Sequence, residues 1–420
     1  MKYYENPRYT VKPVLEPNAV DKRIGVADLS SDQRVVFEAL LNELYSNRFD
    51  PSLGGYAGSG KSTCIPLISD QLGDTTETAF CAFTGKAANV LQRKLKAAGI
   101  RDAAYVGTIH SLIYRPKVNN AGTIVGWVKK ERPLRAYADY LDAESSIPVN
   151  RIIIDEASMI NEEVLSDLQA YGVPILLVGD HGQLPPVQGK SILEKPTFRL
   201  ETIHRQAANN PIIKLAHEIR THGDIPKNFP RDLPEIAFIK RDRLYEVVGE
   251  SYDRLGLNLA VIVRTNNARA NINLAPREVK DPVAGDIVIC LKNNPPVFNG
   301  MRGIVQAIEP CEDHWFHAKI EFPDDGITLE GILNRHQFGR QYTIESGISL
   351  QEDVGSFDPR KPLGLLFDFG IALTAHKSQG SSFREVVLCP EKWRSDSEED
   401  YCRWLYTAVT RAEQKITIVT

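Results

Sequence analysis

The chain has 420 residues, enough for roughly two to four domains of about 100–200 residues each, and its 42% hydrophobic and 25% charged residues are the proportions of an ordinary soluble protein. No apolar run approaches the roughly 20 residues of a membrane span, and the opening Met1-Lys2-Tyr3-Tyr4-Glu5 lacks the apolar core of a secretory leader. A net charge of -4 excludes a uniformly basic nucleic-acid binder, so any such binding uses local patches, while six scattered cysteines with no C-x-x-C pair point to a reducing cytoplasm without disulfide framework or zinc site.

Residues 1–25 mix charges with several prolines and carry no assignable role. At 29–44, Ser30 or Ser31 can cap a helix whose apolar face is Val36, Phe37, Leu40, Leu41 and Leu44. Gln33 lies in its first turn, and a side-chain amide there suits an adenine edge because one group both donates and accepts. Gly55-Tyr56-Ala57-Gly58-Ser59-Gly60-Lys61-Ser62-Thr63 then matches the phosphate-loop pattern G-x-x-x-x-G-K-[ST]. Gly58 and Gly60 let backbone N–H groups, that of Ser59 among them, turn toward a polyphosphate. Lys61 supplies a point charge, the Ser62 hydroxyl suits Mg²⁺, and Thr63 opens a helix through Leu72 whose positive end faces the phosphates.

Residues 79–83 read as a buried strand, followed by Thr84-Gly85-Lys86-Ala87-Ala88 at the start of a helix; Gly107-Thr108-Ile109-His110-Ser111 forms a second polar junction. Between Thr84 and Lys117 the basic residues Lys86, Arg93, Lys94, Lys96, Arg101, Arg115 and Lys117 stand against one acid, Asp102. Hydroxyls and amides at helix starts beside lysines suit phosphate contacts to a nucleic-acid strand. Residues 114–149 interrupt the α/β pattern with a hairpin around Asn119-Asn120-Ala121-Gly122, in which Trp127 is the large aromatic.

The strand at 151–154 ends in two carboxylates, Asp155 placed to hold Mg²⁺ through water and Glu156 to polarise the attacking water. Another apolar strand, 174–178, leads into Gly179-Asp180-His181-Gly182-Gln183, where the amide of Gln183 at the C-terminal sheet edge can sense a γ-phosphate. The second half repeats the plan without a phosphate loop. It holds Phe198 to Gln206 with Arg205, a strand at 259–263 leading to Arg264-Thr265-Asn266, short β-like runs at 283–365 that suggest an inserted small barrel, and strands at 365–373, 386–388 and 415–419. Between them lie Thr374-Ala375-His376-Lys377-Ser378-Gln379-Gly380 and the helix with Arg411. None of the nine histidines shows metal-ligand spacing.

Together these stretches resemble the superfamily 1 helicases, specifically the RecD-like and Dda-like 5′-to-3′ branch, in order from Gln33 to Val419. Gln33 corresponds to the family's adenine-reading glutamine; Gly55 to Thr63, Asp155-Glu156, and Gly179-Asp180 with Gln183-Leu184-Pro185-Pro186 correspond to its nucleotide motifs. Thr84-Gly85-Lys86 and Thr108-Ile109-His110-Ser111 resemble its strand-contacting motifs, and Arg205 and Arg411 stand where the family places two arginine fingers. Thr374 to Gly380 resembles the motif coupling DNA to nucleotide, which assigns Gly380 to the nucleotide and Thr374, His376, Lys377 and Ser378, with Thr265 and Asn266, to the strand. Ala57 and Phe83 replace prolines common in the family and remove no reacting group.

The resemblance implies an α/β fold of two tandem RecA-like P-loop domains, 26–197 and 198–282 with 366–420, after an extension at 1–25. It makes the hairpin at about 114–149 a strand-separating pin and 283–365 an SH3-like accessory domain. It further implies an ATP- and Mg²⁺-dependent 5′-to-3′ DNA helicase with ATP in the cleft between the motor domains. Its partners would be single-stranded DNA, duplex junctions and replication or recombination proteins. The expected setting is a monomer in the cytoplasm of a bacterial cell or phage-infected host. A translocase that does not unwind and a nucleotide-gated DNA-binding switch are the alternative readings. With about thirty residues ahead of Gln33, the compact phage Dda type is expected rather than RecD with its large N-terminal domain.

Overall fold

The structure, a computed structural model, describes residues 8–11, 25–46, 50–118, 124–136, 146–186, 189–202, 209–277, 279–294 and 296–420. It divides into a unit of residues 19–220 and a unit of 1–18 with 221–420. In chain order, β1 (Arg8–Val11) belongs to the second unit and α1 (Ser31–Ser46) opens the first. There follow β2 (Ser52–Gly55), α2 (Lys61–Leu72), β3 (Thr78–Ala82), α3 (Gly85–Ala97), β4 (Tyr105–Thr108) and α4 (Ile109–Ile113). The strands β5 (Tyr114–Val118) and β6 (Ile124–Lys129) pair antiparallel, as do the short β7 (Arg135–Ala136) and β8 (Ile147–Pro148). Then come β9 (Arg151–Asp155), α5 (Glu162–Gln169), β10 (Ile175–Gly179) and β11 (Phe198–Leu200).

Six of these strands form one parallel sheet in the order β11-β2-β10-β9-β3-β4. A parallel sheet covered on both faces takes continuous apolar strands, and β9 shows why. Ile152 and Ile154 enter a core with Ile109, Leu112 and Leu168, while Ile153 enters the opposite core with Phe37, Leu40, Ile65 and Phe80. The helical spacing of Phe37, Leu40 and Leu44 buries one face of α1 in that second core, with Val36 and Leu41 partly buried beside it. The expected boundary at 197/198 is displaced: β11 lies parallel to β2, Leu200 is buried in the same core as Leu53, and the unit runs on to Arg220. A three-residue strand carrying Arg199 beside Glu201 has too little apolar pattern to declare its sheet.

The second unit contains β12 (Ile236–Ile239), β13 (Leu259–Val263), β14 (Ile287–Cys290), β15 (Arg302–Cys311), β16 (Trp315–Phe322) and β17 (Ile327–Asn334). They are followed by β18 (Phe367–Phe369), β19 (Ala372–Thr374), β20 (Phe383–Leu388) and β21 (Ala412–Val419). A parallel sheet has the order β12-β21-β20-β13-β19, and a second sheet, antiparallel, the order β1-β17-β16-β15-β14-β18. The N-terminal strand thus extends an antiparallel sheet whose other strands lie far along the chain. The single strand expected at 365–373 is two: β18 pairs antiparallel with β14, and β19 pairs parallel with β13. They part at Gly370, where a Cβ would stand 2.9 Å from the Val288 carbonyl carbon and 3.1 Å from Ile289 N, so glycine alone lets the chain pass from one sheet to the other.

Buried arginines join the two sheets. Arg302 on β15 donates from Nη1 to the carbonyls of Leu259 (2.8 Å) and Gly370 (2.9 Å), and from Nη2 to that of Leu257. Arg269, on helix Asn266–Leu274, donates to Asp368 Oδ2 (2.5 Å) and the Arg340 carbonyl (2.6 Å). No described helix is long and apolar enough to cross a membrane.

Candidate active site

The loop between β2 and α2 is shaped by its glycines. At Gly55 a Cβ would lie 2.5 Å from Ser59 Oγ and 2.9 Å from Lys61 Cγ, and Gly58 and Gly60 hold φ of 81° and 89°, where L side chains are strained. The turn brings three donors to one acceptor: Ser59 N (3.1 Å), Ser59 Oγ (2.8 Å) and Lys61 Nζ (2.8 Å) all point at the Tyr56 carbonyl. A carbonyl oxygen has two lone pairs, so the Lys61 ammonium is the donor most readily surrendered to a charged acceptor. Lys61 Nζ also stands 3.7 Å from Asp180 Oδ2, with the lysine side chain 15% and the aspartate 1% exposed. Left-handed glycines, a loosely held ammonium and the start of α2 fit the phosphate chain of ATP. Thr63 N bonds the Gly60 carbonyl in the first turn (3.0 Å); the Ser62 side chain lies outside the described atoms.

Gln33 is tied into this loop. Its Nε2 donates to the Ser59 carbonyl (3.0 Å), its Oε1 accepts from Ser30 N (3.1 Å), and its own N–H bonds Ser30 Oγ (3.3 Å). The residue expected to read adenine is therefore also the far member of a capping box for α1. One amide hydrogen and one lone pair remain for a base edge.

At the end of β9, Asp155 Oδ1 accepts the N–H of Glu156 (2.9 Å), and Glu156 itself holds φ 55° and ψ 37°. A left-handed glutamate stores on the order of 1–3 kcal/mol and is kept only where the surroundings impose it. The backbone after it runs close against the end of β10: a Cβ on Gly179 would meet the backbone nitrogens of Ala157 and Ser158 at 3.0 Å. Asp180, next in the chain, accepts from Gly182 N (2.9 Å) and receives Gln183 Nε2 at 3.4 Å. Gln183 Oε1 is buried with no hydrogen-bond partner among the described residues. An amide oxygen held dry in this way is poised for a donor that arrives with ligand or water.

Sequence reasoning placed Tyr56 and Asp180 within nucleotide motifs without giving either a task of its own, and gave none to His181 or Arg220, yet the structure gathers all four at the loop. The Tyr56 ring lies 4.3 Å from that of His181, and the Arg220 guanidinium sits 3.9 Å from the Tyr56 centroid. Burial holds the His181 imidazole below its ordinary pKa, and neither ring nitrogen has a hydrogen-bond partner among the described residues. Asp180 alone left a signal, an acid directly after a buried apolar strand, as at Asp155.

The expected strand-contacting residues share one local design. Thr84 Oγ1 accepts from Ala87 N (3.2 Å) and Thr108 Oγ1 from Ser111 N (3.2 Å), each capping the helix after β3 or β4, which are neighbours with Ala82 opposite Thr108. The second unit repeats this: Thr265 Oγ1 accepts from Ala268 N (3.0 Å) and Thr374 Oγ1 from Lys377 N (3.4 Å), after the neighbouring β13 and β19. Gly85 is buried, Lys86, His110 and Ser111 are half-buried, and Asn266 is exposed. Burial lowers the pKa of His110 and His376 and pulls the Lys377 amine down to about 8. Ser378 is fully buried and donates to the Ala375 carbonyl (2.7 Å), and Gly380 follows at φ 68°. In the hairpin Trp127 is 54% exposed, while Tyr114 and Lys129 at its base bond Asp167 of α5.

Arg205 lies outside the described residues. Arg411 is buried within its own unit, its guanidinium donating to the carbonyls of Thr407 (3.0 Å) and Ser381 (3.0 Å) and to Thr410 Oγ1 (3.1 Å). Among the described residues no group of three or more His, Cys, Asp or Glu could hold a metal ion by itself. A metal here would rest on Asp155 and Ser62 together with the nucleotide.

The AAA domain family matches residues 28–231 and the UvrD-like helicase C-terminal domain residues 369–419. Over 412 residues the chain is 28% identical to the ATP-dependent RecD2 DNA helicase of Deinococcus radiodurans, covering 90% of this chain and 47% of that protein. It is 25% identical to the RecBCD enzyme subunit RecD of Mycobacterium tuberculosis, covering 87% of this chain and 66% of the relative. The chain thus spans about half to two-thirds of these relatives' length. In fold it is similar to the solved structure of Pif1 helicases at forked double-stranded DNA, at a TM-score of 0.52 and 19% identity over 93% of this chain and 92% of that one. The chain thus carries, in order, a match to the AAA domain and a match to the UvrD-like helicase C-terminal domain, and is similar along most of its length to the RecD2 helicase and the RecD subunit.

Proposed function

We propose that the chain is an ATP-driven DNA helicase that moves 5′ to 3′ on single-stranded DNA and separates duplex strands. The observation that carries the reading is the phosphate loop with Lys61 lodged between the Tyr56 carbonyl and the buried Asp180. ATP is the substrate: Lys61 exchanges a neutral carbonyl for the β- and γ-phosphates, Gln33 reads the base, and Gln183 senses the terminal phosphate. Glu156 orients the attacking water from its strained turn. Ser62 and Asp155 would hold Mg²⁺, which shields the phosphate charge when bound. Arg205 and Arg411 are the arginine fingers, a contribution of about 10³–10⁵ in rate in other nucleotidases. Arg411 must first leave the carbonyls of Thr407 and Ser381, which makes its release a gate on turnover.

The strand is held through its phosphates by the threonine-capped helix starts with Lys86, His110 and Ser111 in one unit and Asn266, His376 and Lys377 in the other; Ser378, expected beside them, is fully buried with its hydroxyl on the Ala375 carbonyl and so braces the helix start instead of touching the strand. Affinity is then salt-sensitive and poor in sequence information. The β5–β6 hairpin with its exposed Trp127 acts as the pin, and the antiparallel sheet as the SH3-like accessory domain. Replication or recombination proteins are the natural partners, in the cytoplasm. Steady-state ATP hydrolysis with and without single-stranded DNA tests the reading. Stimulation by DNA that is absent in Lys61→Ala is expected; DNA-independent turnover, or turnover surviving in Lys61→Ala, overturns it.

A further inference from the structure

Three loops leave one edge of the second unit's parallel sheet side by side. β13 is paired with both β19 and β20, with Ile262 opposite Leu388, so the residues after β13, β19 and β20 emerge together at the C-terminal ends of the strands. Thr265 lies just after β13, and Thr374 ends β19 and caps the helix that follows. The third loop, 389–397, carries Trp393, an indole that is 43% exposed.

That indole is held from beneath. The Arg264 guanidinium lies 4.6 Å from its ring centroid and 5.5 Å from that of Trp404. Arg264 is itself 11% exposed and fixed by Asp396 Oδ1 (2.6 Å) and the Glu391 carbonyl (3.2 Å). The other carboxylate oxygen, Oδ2 of Asp396, accepts the backbone N–H of Trp393 (2.7 Å), so one buried acid fixes both the cation and the loop that presents the ring. Lys392, the residue before Trp393, donates from Nζ to both carboxylate oxygens of Glu398 at 2.9 and 3.0 Å, a further tie between this loop and the helix after it. An indole retained for packing gains most by burying both faces. This one is pre-ordered and half in water, which is the condition for stacking at low entropic cost.

We infer that Trp393 is a stacking platform for a nucleobase of the bound single strand, carried on Arg264 and set beside the Thr265 and Thr374 helix starts. Nucleic-acid bases stack on such rings whatever their identity, so the platform adds affinity without sequence preference. The inference rests on the single-strand reading proposed above.

The test measures binding of a dye-labelled oligothymidylate, and of the same strand with abasic sites, to the full chain by fluorescence anisotropy. Trp393→Ala is expected to weaken binding to the intact strand roughly 5- to 100-fold with the slope against salt unchanged, because no counterion is released by stacking. Trp393→Phe recovers most of the affinity. On the abasic strand wild type and Trp393→Ala bind within about twofold of each other, a coupling that a packing role does not produce. Equal affinity for the intact strand, or the same loss on both strands, overturns the platform while leaving the single-strand reading intact. If Trp393→Ala lowers the melting temperature, the same cycle is run with Trp393→Phe and Trp393→Leu: coupling that survives in Leu and not in Phe supports the platform, and its absence in both overturns it. No binding of either strand by the wild type overturns the single-strand reading and the platform with it.

Discussion

Gln33 joins the start of α1 to the phosphate loop, and Gln33→Ala separates its two duties. Truncation removes the Oε1 acceptor of the Ser30 N–H and the Nε2 donor to the Ser59 carbonyl, 3.1 and 3.0 Å long. A lost cap costs about 0.5–2 kcal/mol, and a buried carbonyl left without its donor about 1–3 kcal/mol. The Ser59 contact is buried, so the sum is about 2–4 kcal/mol. For a unit of this size that lowers the melting temperature by about 5–15 °C. The same loss frees the Ser59 carbonyl within the loop and removes the amide proposed to read the base, so the KM for ATP is expected to rise and the preference for ATP over GTP to shrink. Differential scanning calorimetry and ATPase titrations with both nucleotides measure the two effects. A melting temperature within about 1 °C of wild type, with an unchanged ATP/GTP ratio, refutes the reasoning; a lower melting temperature with unchanged discrimination retains the cap and removes the reading of adenine.

Arg302→Ala strips donors from the buried carbonyls of Leu259 and Gly370 and the partly buried one of Leu257, and a loss of about 3–5 kcal/mol is expected in urea unfolding; less than about 1 kcal/mol contradicts its role in joining the two sheets. Trp127→Ala should keep single-strand-stimulated ATPase and lose duplex unwinding with no change in melting temperature, because the ring is 54% exposed; parallel loss of ATPase assigns it to packing. Burial lowers the Lys377 amine from 10.5 to about 8. If its ammonium binds a phosphate, DNA affinity falls as pH rises through 8, by about fivefold between pH 8 and 9. Its contribution to stability runs the other way, rising between pH 8 and 10.5 because the unfolded amine binds the extra proton there. Lys377→Arg abolishes this part of the pH dependence of binding, and an unchanged profile removes Lys377 from the strand contact.

Much of this arrangement is legible along the chain because its signals are local. The spacing of Gly58, Gly60 and Lys61 encodes a loop that only left-handed residues can turn, and each T-x-x helix start from Thr84 to Thr374 is a cap within four residues. Apolar runs such as 152–154 announce strands buried on both faces. What escapes is pairing between distant segments. Nothing in Arg8–Val11 announces β17 as its neighbour, and nothing in the run 365–373 shows that Gly370 divides it between two sheets. Asp180 meets Lys61, and Tyr56 meets His181 and Arg220, only through the order of the strands. Arg411 reads as an arginine finger by its place in a motif, and nothing local shows its burial, which depends on where the Ser381 carbonyl lies.

The central claim is ATP-driven strand separation with a direction, and strand displacement from a labelled duplex bearing a 5′ or a 3′ single-stranded tail tests it most directly. Wild type with ATP is expected to release the strand from the 5′-tailed duplex and little from the 3′-tailed one, while Lys61→Ala releases neither. Equal or faster release from the 3′ tail contradicts the direction, and no release from either tail under conditions of DNA-stimulated hydrolysis contradicts the claim that this chain unwinds DNA.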